Sequence, residues 1–270
     1  MRFALKINQH QLEWPEILSR YQYGEKAGFD TALMFDHFKA MEGDPLGPCM
    51  EAYTLLGAIA AETQTIRLGA LATGVTFRHP SVLAAQAVTL DRISGGRAEL
   101  PLGAAWNEAE HRPLGLEFPS NRERVERLEE AVQMIRLLMT ADDVSFRGRH
   151  YCLEGATYRP RPVQEPRVPI WVAANGSRLT IPLAAREATC GTALRSSTTF
   201  PRRSGSSGSI WRRRAGSPRA SPWRPIFPPG AHPRSWKRAS RLSAVSFSRC
   251  WSWPGPRRGI PGWTVWPKCC

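Results

Sequence analysis

Residues 65–103 read TIRLGALATGVTFRHPSVLAAQAVTLDRISGGRAELPLG, and this stretch decides the fold. Thr65 to Leu71 is a short apolar run of the kind that forms a buried strand. Thr73, Gly74 and Val75 follow it as a strand-end turn. A helix is expected from Ser81 to Ile93, with Ser81 as N-cap after Pro80. The Gly95-Gly96 pair ends it. Ala98 to Leu102 is a second strand, running into Gly103. Strand, helix and strand in this order predict a parallel β-α-β unit.

The same alternation extends both ways. Phe3 to Ile7 predicts a strand and Gln11 to Ala27 a helix stopped at Gly28. Thr31 to Phe35 is an apolar run ending at Asp36 and His37. Glu51 to Glu62 predicts a helix. Asn121 to Met139 is the clearest helix, because Val125, Leu128, Val132, Ile135 and Met139 recur at i+3 and i+4. Pro169 to Ala173 predicts a strand, with a helix from Ser177 to Ala188 behind it. That makes five strands, each at least loosely followed by a helix. Polar and Gly-bearing residues cluster just after the strands: Asp36-His37, Thr73-Gly74, Trp106-Asn107-Glu108 and Asn175-Gly176-Ser177. In a (β/α)8 barrel this is the C-terminal face, where chemistry resides. An open doubly wound sheet places ligands at strand ends as well.

Charge divides the chain. All 23 acidic residues precede Thr189, and the 82 residues from there to Cys270 hold none. That tail holds 16 of the 37 Lys and Arg, 7 of the 10 Trp and 4 of the 6 Cys, and no Asn, Gln, Tyr or Met. Residues 1–188 carry 21 basic against 23 acidic groups, so the overall charge of +14 describes neither part. The first part reads as a nearly neutral domain able to bury a sizeable core. Its two cysteines, Cys49 and Cys152, fit a reducing compartment, and a cytoplasmic location is expected. The start MRFALKINQHQLEW has no long apolar segment, so no secretion signal is expected, and no stretch has membrane-span length. There is no HExxH, paired CxxC or P-loop. Cys269-Cys270 suits neither a zinc site nor an ordinary disulfide, so no metal is expected.

Several strand-end groups admit two readings. Asp36 and His37 either cap a loop or form a catalytic pair, with His37 as general acid or base and Asp36 orienting it. Glu108 and Glu110 are either solvated charges, the reading favoured here, or a paired acid/base system. Asn175-Gly176-Ser177 opens a helix, where free N–H groups bind phosphate and Ser177 is equally a plain N-cap. His79 is expected to shape a turn, and His111 and His150 to lie on the surface.

Three segments go beyond pattern: GVTFRHPSVLAAQAVTLDRISGGRAELPLGAAWNEAEHRPLG (74–115), RVERLEEAVQMIRLLMT (124–140) and FRGRHYCLEGATYRPRPVQEPRVPIWVAANGSR (146–178). Together they resemble the bacterial luciferase-like monooxygenase superfamily, most closely its coenzyme F420-dependent oxidoreductase branch. The resemblance covers residues 1–188. It implies a (β/α)8 TIM barrel, here complete only to about the fifth β/α unit, with a deazaflavin or flavin at its C-terminal mouth. The implied reaction is hydride transfer between F420 and a small organic substrate, with FMN-dependent oxygen insertion as the alternative. The resemblance places Asp36 and His37 near the ring and a strained peptide near Thr73, Gly74 and Val75 behind it. Asn107 then contacts the ring or tail, Trp106 walls the substrate pocket, and Asn175, Gly176 and Ser177 bind phosphate. It also admits a homodimer. The chain departs from the family at Ala105, where a Gly is usual, and at Ala174-Asn175-Gly176-Ser177, which is often richer in Gly.

The tail reads either as a basic nucleic-acid-binding extension or as out-of-frame sequence. The second reading is favoured, and no specific nucleic-acid partner is expected. Arg, Ser, Pro, Gly, Ala and Trp dominate when GC-rich DNA is read in a wrong frame. One added G after the Ala188 codon can turn the next residues, Thr-Cys-Gly-Thr-Ala, into Asp-Val-Trp-Asn-Gly. The resemblance places an Asp-x-Trp-Asn strand at this point. Residues 189–270 are thus expected to be disordered, and the chain poorly active.

Overall fold

The computed structural model describes residues 3–174, 180–187 and 242–246. Strand β1 (Phe3–Ile7) is followed by helix α1 (Trp14–Lys26), β2 (Thr31–Met34) by α2 (Ala52–Glu62), and β3 (Arg67–Ala70) with the short β4 (Thr73–Gly74) by α3 (Pro80–Ser94). Then come β5 (Leu100–Gly103), the one-turn helix α4 (Glu108–His111), the long α5 (Asn121–Thr140), the hairpin β6 (Val144–Arg147) and β7 (Cys152–Ala156), β8 (Ile170–Val172) and α6 (Thr180–Glu187). The hairpin was not foreseen from sequence.

Strands β1, β2 and β3 pair in parallel, as do β4, β5 and β8. The parallel bridge from Leu68 to Ala98 joins the two sets. A ninth strand, β9 (Leu242–Ser246), lies antiparallel along the other edge of β1. It falls in the basic tail. The rest of residues 188–270, and with it the expected disorder, lies outside the described residues. Among the described residues no helix is long and apolar enough to cross a membrane.

The elements follow from local chemistry. In α5 the predicted stripe Val125, Leu128, Val132, Ile135 and Met139 is buried, and Ser120 caps the helix by accepting the N–H of Glu123. Glu51 caps α2 by accepting from Tyr53 and Thr54. In α3 the expected Ser81 cap is corrected. Proline sits most readily at the first helical position, so Pro80 takes that place and His79 becomes the N-cap, its ring accepting the Ser81 N–H. The main core lies between the sheet and its helices. A small second cluster of Ala4, Leu33 and Leu71, packed against Ala72 and Trp171, fills the other face.

Arg97 ties α2 to β3. Its guanidinium donates to the carbonyls of Ala60, Thr63, Ile66 and Ser94 and to the Thr63 hydroxyl. Two of these carbonyls belong to the C-terminal end of α2, where no backbone partner is left. We expect Arg97→Ala to cost about 3 kcal/mol, because charged hydrogen bonds are lost and buried carbonyls orphaned together. The urea midpoint reads this directly.

Candidate functional site

Asp36 follows β2 and is 3% exposed. Its carboxylate accepts the Gly74 N–H at 3.0 Å and a two-pronged pair of bonds from Arg78 at 2.8 and 2.9 Å. Arg78 also donates to Glu51 at 2.6 Å and lies over the Tyr53 ring, whose hydroxyl bonds Thr73. Asp36 therefore does not orient His37. Successive residues of extended chain face opposite ways, and Asp36 turns to the helix side. There it fixes Gly74 and the turn into α3. Burial drives the Arg78 guanidinium toward neutrality, but the Asp36 and Glu51 carboxylates outweigh that and raise its pKa.

The partner of His37 is Glu110, on α4. His37 Nδ1 and Glu110 Oε2 are 2.7 Å apart. Glu110 Oε1 accepts the N–H groups of Phe38 at 2.5 Å and Lys39 at 3.1 Å. Glu110 is 1% exposed, which corrects its reading as a solvated charge; Glu108 is exposed as expected. Burial pushes the Glu110 carboxyl up, but the His37 bond and charge and the two backbone N–H groups prevail and hold it below its ordinary value. An ionised carboxylate only accepts, so His37 donates through Nδ1, and in the neutral ring this leaves Nε2 as the acceptor. The Cys49 thiol donates to the His37 carbonyl, and burial, with the Glu110 charge, raises its pKa to about 12.

A carboxyl held low in the fold stabilises it above the unfolded value and stops doing so as pH falls through the folded value. Glu25 and Glu51 are also held low, each against burial, chiefly by backbone N–H donors. The protein should keep its urea midpoint above the ordinary carboxylate value of about 4.3 and lose it below. In Glu110→Gln that acid decline should be shallower.

Two further histidines correct the sequence reading. His111 is 0% exposed. Its Nδ1 donates to the Asn107 carbonyl at 2.7 Å, its Nε2 pairs with the Thr76 hydroxyl at 2.6 Å, and its ring stacks on Phe77. It thereby joins the loops after β4 and β5. His150 bonds Glu126 at 3.1 Å and is largely covered. Both were expected on the surface, because Thr76 and Glu126, which cover them, lie on other elements.

Trp106 is 68% exposed, with its ring edge-on to His37 at 6.0 Å. Asn107 reaches Met41 Sδ at 3.3 Å and Glu110 Oε2 at 3.5 Å, so its amide abuts the same pair. Thr73 and Gly74 lie at the strand end and are buried, whereas Val75 packs into the core. Asn175, Gly176 and Ser177 lie outside the described residues. The cis peptide in this region is Leu71–Ala72, just before Thr73. Gln9 and His10, after β1, were not singled out from sequence. Gln9 exchanges hydrogen bonds with the Phe35 backbone, and His10 stacks on the Phe35 ring. Their signal was the one used elsewhere, polar residues immediately after a strand.

Small residues line the strand ends beside these groups. A Cβ on Gly103 would meet Ala72 at 3.1 Å, and one on Gly74 would meet Phe77 at 2.8 Å. Ala105 has φ +56°, a left-handed backbone that costs an L-residue roughly 1–2 kcal/mol. That explains why a Gly suits the position. We expect Ala105→Gly to raise stability by about 0.5–1 kcal/mol, the relieved strain exceeding the added chain entropy. A chemical-denaturation midpoint checks it. Among the described residues no group of three or more His, Cys, Asp or Glu could hold a metal ion.

Comparison with known proteins gives three results. The family model for luciferase-like monooxygenases matches residues 1–191. An F420-dependent glucose-6-phosphate dehydrogenase of Microbacterium testaceum (strain StLB037) is 35% identical over 183 residues, which are 67% of this chain and 53% of that protein. Two solved structures share the fold. An F420-dependent secondary alcohol dehydrogenase in complex with an F420-acetone adduct has TM-score 0.59 and 25% identity, covering 64% of this chain and 53% of that one. Monooxygenase RslO1 from Streptomyces bottropensis has TM-score 0.58 and 26% identity, covering 69% and 57%. The chain thus spans about half the length of the proteins it matches.

Proposed function

This chain belongs to the luciferase-like monooxygenase family, and from that premise we propose that its mouth serves an F420-dependent oxidoreductase acting on a small organic substrate. The observation that carries the reading is the pair of part-buried His37 and buried Glu110, in the segments after β2 and β5. Gly74 and Gly103 let the Phe77 ring and Ala72 pack closely against the strand ends beside this pair. F420 supplies a two-electron hydride carrier at its C5. The protein's part is the proton. Glu110 holds His37 with Nδ1 protonated, Nε2 takes a proton from a substrate hydroxyl or returns it, and the carboxylate balances the charge formed on the imidazole. Trp106 walls the pocket beside them. Asp36, Arg78 and Glu51 fix the turn that presents Gly74. By the same reading Asn175, Gly176 and Ser177 hold the cofactor phosphate.

We further propose that the parent fold is a (β/α)8 barrel of which this chain keeps about five units. The support is a coincidence of boundaries. The family match stops at residue 191, and acidic residues stop at Glu187. Resequencing across codons 180–200 for a missing base tests this. The enzymatic reading is tested on the frame-restored protein, the gene with that base replaced. Reduced F420 carrying deuterium at C5 should deliver the label to the carbonyl carbon of a small aldehyde, ketone or sugar substrate, without oxygen uptake. Oxygen consumption with reduced FMN, and no label transfer from F420, would place the protein among the monooxygenases instead.

A further inference from the structure

The end of β1 carries a buried donor that neither the core nor the ion pairs use. Lys6 and His10 both lie against the Phe35 ring. Lys6 Nζ is 3.8 Å from its centroid, and the His10 ring stacks on it at 5.1 Å and 10°. His10 also stands edge-on to His37, with 6.2 Å between ring centroids. His10 is therefore a neighbour of the reacting imidazole, supplied by a different strand. It is 2% exposed. Its Nδ1 accepts the Met41 N–H at 3.3 Å. A ring nitrogen that accepts carries no proton, so the neutral ring carries its hydrogen on Nε2. That Nε2 is buried and has no partner.

Buried polar groups in folded proteins are nearly always paired, so an orphan of this kind asks for a ligand. The charged groups around the ring favour neutrality on balance. Burial and the nearby His37 lower the His10 pKa, Glu42 and Glu110 act against them, and Lys6 adds to the lowering. His10 is thus suited to donate a hydrogen bond without giving up a proton.

We propose that His10 Nε2–H holds the substrate oxygen beside His37, so that the substrate carries a hydroxyl or carbonyl on the carbon that exchanges the hydride. This rests on the oxidoreductase reading above. In the oxidising direction the substrate's C–H electron pair would leave as hydride to the bound F420, while His37 Nε2 takes the hydroxyl proton and the C=O bond forms. His10 then hydrogen-bonds that carbonyl oxygen. In the reducing direction the same bond polarises the carbonyl. Two imidazoles divide the work: His37 moves the proton and His10 keeps its own.

The test is imidazole 1H–15N correlation spectroscopy on the full chain, with acetone as the carbonyl probe and F420 as the cofactor probe. In the free protein His10 is expected as the neutral tautomer protonated on Nε2. Acetone, titrated without and with F420, is expected to shift that Nε2 signal. Read at the His37 imidazole signals, which both variants keep, acetone affinity should fall about tenfold in His10→Phe and return to within about threefold in His10→Gln, which keeps an N–H at similar reach. A proton found on Nδ1, or an equal acetone response in His10→Phe, overturns the assignment. If His10→Phe does not fold, the tautomer and the His10→Gln titration still decide. F420 that moves no imidazole signal in the frame-restored protein counts against the cofactor reading, while acetone on the free protein judges His10 separately.

Discussion

Replacing one base after the Ala188 codon should raise F420-linked turnover by about a hundredfold or more. The described part of the chain supplies the His37–Glu110 pair. It does not by itself supply the strands that close an eight-stranded barrel, and closure requires strand number, shear and tilt to agree. A misplacement of about 1 Å at a reacting centre costs about a hundredfold, and on the five-unit reading proposed above the mouth is expected to be displaced by more than that. Strand β9 covers one edge of β1 but runs antiparallel to it, so it cannot stand in for a parallel barrel strand and its following loop. The comparison is steady-state F420 oxidation by equal amounts of the two proteins. Equal rates would remove the case for an interrupted frame.

In the frame-restored protein, His37→Asn and Glu110→Gln should each lower kcat by about 10²–10⁴-fold with little change in KM. The reasons differ. His37→Asn removes the proton acceptor. Glu110→Gln leaves the imidazole in place but removes the charge that fixes Nδ1–H and balances the imidazolium. The amide that this substitution introduces can also present its NH2 to Nδ1, which would favour the wrong tautomer. Because the two groups act as one unit, the double variant should be hardly slower than the worse single one. Additive losses would mean that Glu110 only supports the loop through the Phe38 and Lys39 N–H groups.

The β/α alternation was legible because it depends on local periodicity. The stripe along α5 is buried as its spacing implies. Hairpin β6–β7 was missed because its strands are mostly exposed: the four residues of β6 alternate, but β7 does not. The site was legible only in part. His37 could be found as a polar residue after a strand, but its partner could not. Asp36 is adjacent in sequence and faces the other way, whereas Glu110 lies 73 residues away and arrives on a single helical turn. His111 was misread for the same reason, since Thr76, which pairs with its Nε2, comes from a different loop 35 residues away. Ala105 stood out against the family pattern, and its positive φ supplies the cause.

A mouth built for a deazaflavin should reveal itself in equilibrium titration followed by cofactor fluorescence. F420 and FMN are each titrated into the frame-restored protein and into the chain as it stands. The frame-restored protein is expected to bind F420 at least about tenfold more tightly than FMN, a difference of about 1.4 kcal/mol, and the present chain to bind both more weakly. Tighter binding of FMN than of F420, or F420 bound as tightly by the present chain in monomeric form, would contradict this.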